Sequence, residues 1–222
     1  MTFHILTLFP EVFESIFSKS IIKRAIDKKL ISVELINIRN WGIGKHKTVD
    51  DKPYGGGEGM VMMVEPILKA LESIKTSPYV ILLCASGRKF TQTKAIKLSA
   101  KKNIALICGH YEGVDARVEE FADDVLSIGD FILTGGEIPA MAIIDSVTRF
   151  IPGSMNPNSA IDESFQQGLL EYPQYTRPVD FRDLKVPKVL LGGNHQEIAK
   201  WRQKEAIKRT QKLRPDLLKV NI

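Results

Sequence analysis

Short apolar runs alternate with segments of helical periodicity from the start of the chain to residue 151. The runs at residues 3–9, 33–38, 79–84, 104–108 and 125–128 are mostly apolar and have the length of buried strands. Strands of this kind, separated by helical segments, are typical of a parallel sheet with helices on both faces. The pattern therefore predicts an α/β fold for this part of the chain.

Three segments have the apolar spacing or the composition of helices. An apolar stripe follows Pro10 through residue 26, and a second helix is predicted over residues 139–151, where Pro152 and Gly153 end it. Residues 195–214 form a third predicted helix, which is rich in Lys and Arg. Asp145 and Arg149 are spaced i,i+4 on the second helix, so their simplest interpretation is a surface salt bridge.

The periodicity stops between residues 39 and 60 and again after residue 153. The first stretch mixes basic, acidic and glycine residues, which favours a loop that closes over a polar ligand over a disordered insertion. The polar residues 154–161 indicate an interdomain linker. These breaks predict a first domain over residues 1–153, a linker over 154–167 and a second domain over 168–222.

Loops with exposed backbone follow the last three predicted strands. They are residues 85–89 (ASGRK), 109–113 (GHYEG) and 127–139 (SIGDFILTGGEIP). Because the carboxyl ends of parallel strands meet at one edge of a sheet, the three loops are predicted to form one ligand site. The glycines in them allow tight turns and close approach of a flat ligand.

Two common nucleotide motifs are missing from the sequence. Gly44-Lys45 is followed by His46 and lacks the spacing of a phosphate-binding loop. No G-x-G-x-x-G fingerprint follows a strand and opens a helix, so a Rossmann dinucleotide site is not supported.

Charge is distributed unevenly between the predicted domains. The chain has a formal net charge of +5, and residues 177–219 hold twelve Lys and Arg against five Asp and Glu. Basic charge concentrated in one small domain favours contact with nucleic-acid phosphates over a merely solvated face.

The sequence predicts a cytoplasmic protein with no membrane partner. No apolar run reaches the ~18–20 residues of a membrane span. The opening MTFHILTLFP lacks the basic region and cleavage site of a secretory signal. Cys84 and Cys108 each end an apolar run and are predicted to be buried, reduced thiols, and with the scattered histidines they form no zinc pattern.

Five blocks in order resemble one family, the bacterial tRNA (guanine-N1)-methyltransferases of the SPOUT class. They are residues 48–63 (TVDDKPYGGGEGMVMM), 108–117 (CGHYEGVDAR), 127–139, 168–178 (GLLEYPQYTRP) and 186–197 (VPKVLLGGNHQE). The resemblance implies a trefoil-knotted SPOUT-type domain followed by a small, mainly helical C-terminal domain. It also implies a homodimer with active sites shared between subunits, and methylation of the guanine just 3′ of the tRNA anticodon.

The resemblance implies S-adenosylmethionine as cofactor, bound in a bent conformation by the three loops. The residues it assigns to cofactor binding are Leu83, Ser86, Gly87, Gly109, Tyr111, Glu112, Gly113, Ile128, Gly129, Asp130, Phe131, Ile132, Leu133, Gly135, Gly136 and Pro139. Assistance by Mg²⁺ is left open, and no metal ligands are predicted.

Methylation at N1 of guanine needs a base for the N1 proton and a cation or donor near O6. The family pattern gives the second role to Arg149 and the first to an acid in the linker. Here Asp162 and Glu163 compete for it, because Glu163 stands directly before Ser-Phe, where the family normally has Asp. For tRNA contacts we predict Asp50 and the basic residues Lys200, Arg202, Lys208 and Arg209.

Two other functions are compatible with the sequence. The chain could be a SPOUT enzyme for another RNA nucleotide, or a non-catalytic RNA-binding protein with a basic tail. The clustered glycine loops argue against the second, since a simple RNA-binding protein has no use for a small-molecule site.

Overall fold

The computed structural model describes residues 1–156, 163–165 and 168–221, and the chain divides into two compact units, Met1–Met155 and Asn156–Ile222. The strands of the described residues are β1 (Thr2–Thr7), β2 (Ser32–Asn37), β3 (Asp50–Asp51), β4 (Val61–Met62), β5 (Tyr79–Lys89), β6 (Asn103–Cys108), β7 (Asp124–Ser127), β8 (Asp180–Phe181) and β9 (Leu184–Lys185). The α-helices are α1 (Glu14–Phe17), α2 (Ser20–Asp27), α3 (Val64–Glu72), α4 (Gln92–Ser99), α5 (Glu137–Thr148) and α6 (His195–Leu213).

A five-stranded parallel sheet forms the centre of the first unit, in the order β2-β1-β6-β5-β7. Ile5 at the middle of β1 pairs with Leu35 on one side and Leu106 on the other. The predicted α/β fold with a parallel sheet is confirmed.

Each face of the sheet carries its own apolar core. Ile81 and Leu106 point into a core that α2, α4 and α5 cover, whereas their chain neighbours Leu82 and Ile107 point into a core beneath α3. This alternation follows from the two-residue period of a strand. It explains why the inner strands are apolar at nearly every position.

Residues 85–89, which were predicted to be a loop, belong to β5. Leu83 and Arg88 both pair with Leu126, so the strand bulges between them and then resumes beside β7. Gly87 permits this path, because a Cβ there would lie 2.7 Å from the backbone of Leu126. The prediction was wrong because the polar residues and the glycine indicated a loop, whereas the glycine provides a close approach between two strands.

The predicted helix over residues 10–26 is divided into a 3-10 turn (Pro10–Phe13), α1 and α2. The break falls at Ser18 and Lys19, and Ser20, the first residue of α2, has a φ of 60°. The apolar stripe continues across it, since Phe13 and Ile22 both reach the same core. Periodicity alone therefore hid the break. Helix α3 was not predicted.

Helix α5 begins at Glu137 and ends at Thr148, not at residues 139 and 151. Gly136 occupies the N-cap position and Arg149 the C-cap. Phe150 and Ile151 continue only as a tight turn, with i→i−3 hydrogen bonds to Val147 and Thr148.

The second unit is built on α6 and the short β8–β9 hairpin. The Asn194 side chain accepts hydrogen bonds from the backbone N–H groups of Gln196 and Glu197, which fixes the start of α6. Ala206 and Thr210 form its buried stripe, and the Leu170 N–H donates to the Thr210 hydroxyl.

Two sequence expectations concern solvent and membrane exposure. Both cysteines are free, but only Cys108 is fully buried, and Cys84 is half-buried. Cys84 was predicted to be buried, but it is partly exposed to solvent, because the β5 bulge begins there. Within residues 1–156, 163–165 and 168–221, no helix combines the length and apolar character that crossing a bilayer requires.

Candidate active site

A pocket of about 200 Å³ lies at the carboxyl edge of the sheet, where β6 and β7 end and the bulge of β5 begins. Most of the predicted cofactor-binding residues line it: Leu83, Gly109, Tyr111, Glu112, Gly113, Ile128, Gly129, Phe131, Ile132, Leu133, Gly135, Gly136 and Pro139. The loops after β6 and β7 thus surround a single cavity, whereas of the predicted loop 85–89 only Ala85, in the β5 bulge, lines it.

Three predicted residues lie outside this lining. Ser86 and Gly87 are in the β5 bulge, where the Ser86 hydroxyl contacts the Cys84 thiol at 3.0 Å. Asp130 points to solvent and its carboxylate lies 3.5 Å from the Lys89 ammonium. The pocket also has lining residues that were not predicted, namely Cys84, Ala85, His110, Val114, Leu126, Ser127 and Thr134.

Two pocket loops touch through their backbones at Gly136. Its N–H donates to the Gly109 carbonyl at 2.9 Å, and a Cβ at this position would lie 2.6 Å from the Cα of Cys108. Gly136 has a helical φ of −81°. The glycine is therefore required for close packing of the loops and not for an unusual backbone angle.

The turn after β7 is closed by the Ser127 side chain. Its hydroxyl donates to the Gly129 carbonyl at 3.0 Å and faces the Gly129 N–H at 3.2 Å. A Cβ at Gly129 would collide with the ring of Phe131. The Ser127 hydroxyl and the absence of a side chain at Gly129 together direct residues 129–133 along the pocket wall.

A buried carboxylate lies beside the pocket, in the first turn of α5. Glu137 accepts hydrogen bonds from the Thr7 hydroxyl at 2.6 Å and interacts with His110 Nε2 at 2.7 Å. Burial, and secondarily the charge of Glu137, raise the pKa of the Cys108 thiol well above its usual value. Cys108 therefore remains a protonated, unreactive thiol.

The irregular stretch between residues 39 and 60 leads into a hairpin that joins the pocket loops. β3 and β4 pair antiparallel, which places Asp50 opposite Met62. The Glu112 N–H donates to the Met60 carbonyl and the Met62 N–H to the Gly113 carbonyl, both at 3.0 Å. Asp50, predicted to contact RNA, is half-buried at the base of this hairpin.

The predicted catalytic residues belong to different units. Arg149 is half-buried at the C-cap of α5 in the first unit. Asp162 lies outside the described residues. Glu163 is half-buried in the second unit, next to Ser164, whose hydroxyl accepts from the Glu171 N–H at 2.9 Å.

The four basic residues predicted to contact RNA occupy different faces of α6. Lys208 and Arg209 are exposed, as is Lys200, whose ammonium lies 3.5 Å from the Glu197 carboxylate. Arg202 is half-buried, and its guanidinium stacks on the Tyr172 ring at 4.8 Å from the centroid. Within the described part of the chain, no cluster of three or more His, Cys, Asp or Glu could hold a metal ion.

A profile of the family described as "tRNA (Guanine-1)-methyltransferase TrmD" matches residues 1–220. The chain belongs to this family. The resemblance drawn from the five sequence blocks is therefore confirmed.

Several relatives named tRNA (guanine-N(1)-)-methyltransferase are similar along most of their length. The relative from Caldanaerobacter subterraneus is 55% identical over 222 residues, covering 99% of this chain and 92% of its own. Those from Geobacillus kaustophilus and Citrifermentans bemidjiense are 54% and 56% identical over 223 residues, covering 98% of this chain and 91% and 90% of their own.

The sequence missed the site residues whose contacts are distant along the chain. Thr7 and Glu137 are 130 positions apart, and no local pattern connects them. The polar residue Thr7 in the mostly apolar run at residues 3–9 was the available signal. Such a residue needs a buried partner, which here is Glu137.

Proposed function

We propose that this chain transfers the methyl group of S-adenosylmethionine to N1 of the guanine immediately 3′ of the tRNA anticodon. One observation carries the proposal: a chain matched by this family over residues 1–220 has a pocket lined by the start of the β5 bulge and by the loops after β6 and β7. Membership in a methyltransferase family gives the reaction class, and the pocket gives a place for the donor.

The cofactor would be held mainly by backbone and apolar side chains. Gly109, Gly135 and Gly136 leave peptide groups bare along one wall. Leu83 and Leu133 are suited to pack against a flat adenine ring. When bound, S-adenosylmethionine supplies a methyl group that its sulfonium already activates, and the proposal assigns no role to a divalent ion.

Residues of this chain would handle the charge that develops on guanine. Loss of the N1 proton places negative charge on O6, which a guanidinium can stabilise. We assign this role to Arg149. The test is Arg149→Ala: we expect kcat to fall about 100-fold or more while the Kd values for cofactor and tRNA stay nearly unchanged. Normal turnover with a lower melting temperature would instead assign Arg149 to helix stability.

The N1 proton would pass to a linker carboxylate, Glu163 or Asp162. Support for Glu163 comes from its neighbours, because Ser164 is hydrogen bonded to Glu171 and the Phe165 N–H donates to the Leu169 carbonyl at 2.8 Å. These bonds restrict a one-residue shift of the linker. Single-turnover methylation assays of Asp162→Ala and Glu163→Ala distinguish the two candidates. The variant that lacks the true base should lose orders of magnitude in methylation rate, and the other variant should lose little.

The finer features implied by the family belong to the same proposal. We include the trefoil knot, a cytoplasmic location and a homodimer with shared sites. Large apolar side chains around the pocket support the dimer, since Tyr111, Phe131, Ile132 and Ile138 are between 46% and 83% exposed. A second subunit is a natural cover for such a surface.

The decisive experiment incubates the protein with S-adenosylmethionine and an unmodified tRNA transcript and maps the methylated nucleotide. We expect one methyl group on the guanine 3′ of the anticodon, and none on a transcript with adenine there. Methylation elsewhere would favour another RNA target. Absence of both methylation and calorimetric cofactor binding would favour a non-catalytic RNA-binding protein.

A further inference from the structure

Glu137 is a buried carboxylate at the meeting point of three chain segments. Its side chain is only 7% exposed, and both oxygens are engaged, Oε1 by Thr7 and Oε2 by His110. Thr7 is the last residue of β1, and His110 belongs to the loop after β6. The contact therefore ties two strand ends to the start of α5.

Filling the core is not a sufficient reason for a charge at this position. A buried carboxylate costs free energy that an apolar side chain of similar volume avoids. The first turn of α5 lowers this cost, because free backbone N–H groups and the helix dipole favour negative charge there. The arrangement tolerates the charge and directs it at His110.

His110 is the point through which the carboxylate can act on the pocket. Its ring packs edge-on against Phe9 at 4.8 Å, and its backbone N–H faces the Met62 sulfur at 3.2 Å. It pairs with Gly135 in an antiparallel bridge and lines the pocket itself. Fixing the imidazole thus fixes the contact between two pocket loops.

The backbone of the residue after His110 is strained, and neighbouring contacts must hold it in that conformation. Tyr111 has a φ of 60°, in the left-handed region that side chains other than Gly, Asn and Asp rarely adopt. Glu112 and Gly113 follow it along the pocket wall. If His110 were not held in place, the backbone at Tyr111 could relax to a less strained conformation, and this would change the shape of the pocket.

We propose that Glu137 is a positioning residue for cofactor binding: together with Thr7 it locks His110 and thereby holds residues 109–113 in the shape of the pocket. The proposal rests on the proposed function, because it takes S-adenosylmethionine as the occupant. Glu137 itself contacts no reacting atom in this role.

Thr7→Val tests the lock at its most remote member. The substitution keeps the shape of Thr7, which does not line the pocket, and removes a hydroxyl that donates to Glu137 and accepts from the Phe9 N–H at 3.0 Å. We expect the calorimetric Kd and the KM for S-adenosylmethionine to rise about tenfold. The KM for tRNA should stay within about twofold, since Thr7 is fully buried and out of reach of RNA.

Two further variants separate positioning from stability. Thr7→Ser restores the hydroxyl and should restore cofactor affinity, and Glu137→Gln should weaken cofactor binding at least as much as Thr7→Val. If Thr7→Val lowers the melting temperature but leaves both cofactor constants unchanged, Glu137 is only structural and the proposal is wrong. If the wild-type protein binds no S-adenosylmethionine, the proposed function itself fails.

Discussion

The two cysteines are a residue-scale test of the pocket, because they are close in space to it and differ in exposure. Cys84 is half-buried and lines the pocket, whereas Cys108 is fully buried with a raised thiol pKa. Iodoacetamide should therefore modify Cys84 and leave Cys108 intact in the folded protein.

S-adenosylmethionine should protect Cys84 if it occupies the pocket. At a concentration about ten times the Kd, we expect the alkylation rate to fall about tenfold, in line with the fraction of free sites. Mass spectrometry of the modified peptides measures the rate, and Cys84→Ser provides the unreactive control. Equal rates with and without the cofactor would place its binding elsewhere.

At the same scale, the pocket residues show which side chains sequence reasoning can find. Glycines such as Gly135 and Gly136 stand out in a single sequence because they are clustered. His110 and Thr7 do not, because their importance depends on Glu137, which only the folded chain brings to them. Gly87 stood out too, but the structure gives it a packing role against β7.

Among the elements, the edge strand β7 depends on an ionic contact with its neighbours. The side chain of Asp124 is only 1% exposed, and its carboxylate contacts Lys94 of α4 and Arg88 of β5, the latter at 2.5 Å. Burial, the largest single cause, acts to raise the pKa of Asp124, but the hydrogen bonds and the positive charges of Lys94 and Arg88 together outweigh it, so the pKa is lowered.

A lowered pKa in the folded state makes this contact sensitive to acid. The stabilisation is fully present above the unfolded-state pKa of about 4 and is lost as pH falls through the lower folded-state value. We expect Asp124→Asn to reduce the free energy of unfolding by about 2 kcal/mol at neutral pH. Most of this loss comes from the contact with the largely buried Lys94, because Arg88 is exposed and its ion pair contributes little. The difference from wild type should shrink in acid, as urea titrations at several pH values would measure. A constant difference down to pH ~2 would contradict the ionic origin.

Whole elements were predicted well where the pattern was strong and poorly where packing decided. The five strands of the parallel sheet follow from apolar runs that need no partner to be recognised. The β5 bulge and the break before α2 could not be predicted, because the first depends on the backbone of β7 and the second leaves the apolar stripe continuous. Helix α5 was displaced by two or three residues at its ends, where capping and not periodicity sets the limits.

On the scale of the whole molecule, the pocket and the concentration of basic residues belong to different units of the chain. The pocket lies in the first unit, while the second unit carries twelve of the basic residues within positions 177–219. The exposed face of α6 has a groove lined by Lys200, Gln203, Lys204, Ile207, Lys208 and Gln211. Three lysines at i, i+4 and i+8 form a row along the helix, which is suited to successive phosphates.

The structure distinguishes this row from the neighbouring Arg202. Because its guanidinium stacks on Tyr172, Arg202 is expected to stabilise the second unit and to contribute little to RNA affinity. Lys204, which was not among the predicted RNA contacts, is exposed and belongs to the row. Lys204 thereby joins Lys200 and Lys208 in the predicted row, and Arg209, which is also exposed, stays a predicted RNA contact.

Replacing Lys200, Lys204 and Lys208 together by Ala should weaken tRNA binding and reduce the slope of log K against log salt by about 2, since each lost phosphate contact removes about 0.7–0.9. The Kd for S-adenosylmethionine should not change.

A variant with Lys19, Lys97 and Lys102 of the first unit replaced by Ala has the same change in net charge and should keep the wild-type slope. Arg202→Ala should lower the melting temperature and leave the slope nearly intact. If the α6 triple variant keeps both tRNA affinity and salt slope, its lysines are only solvated, and the RNA must be bound by another surface.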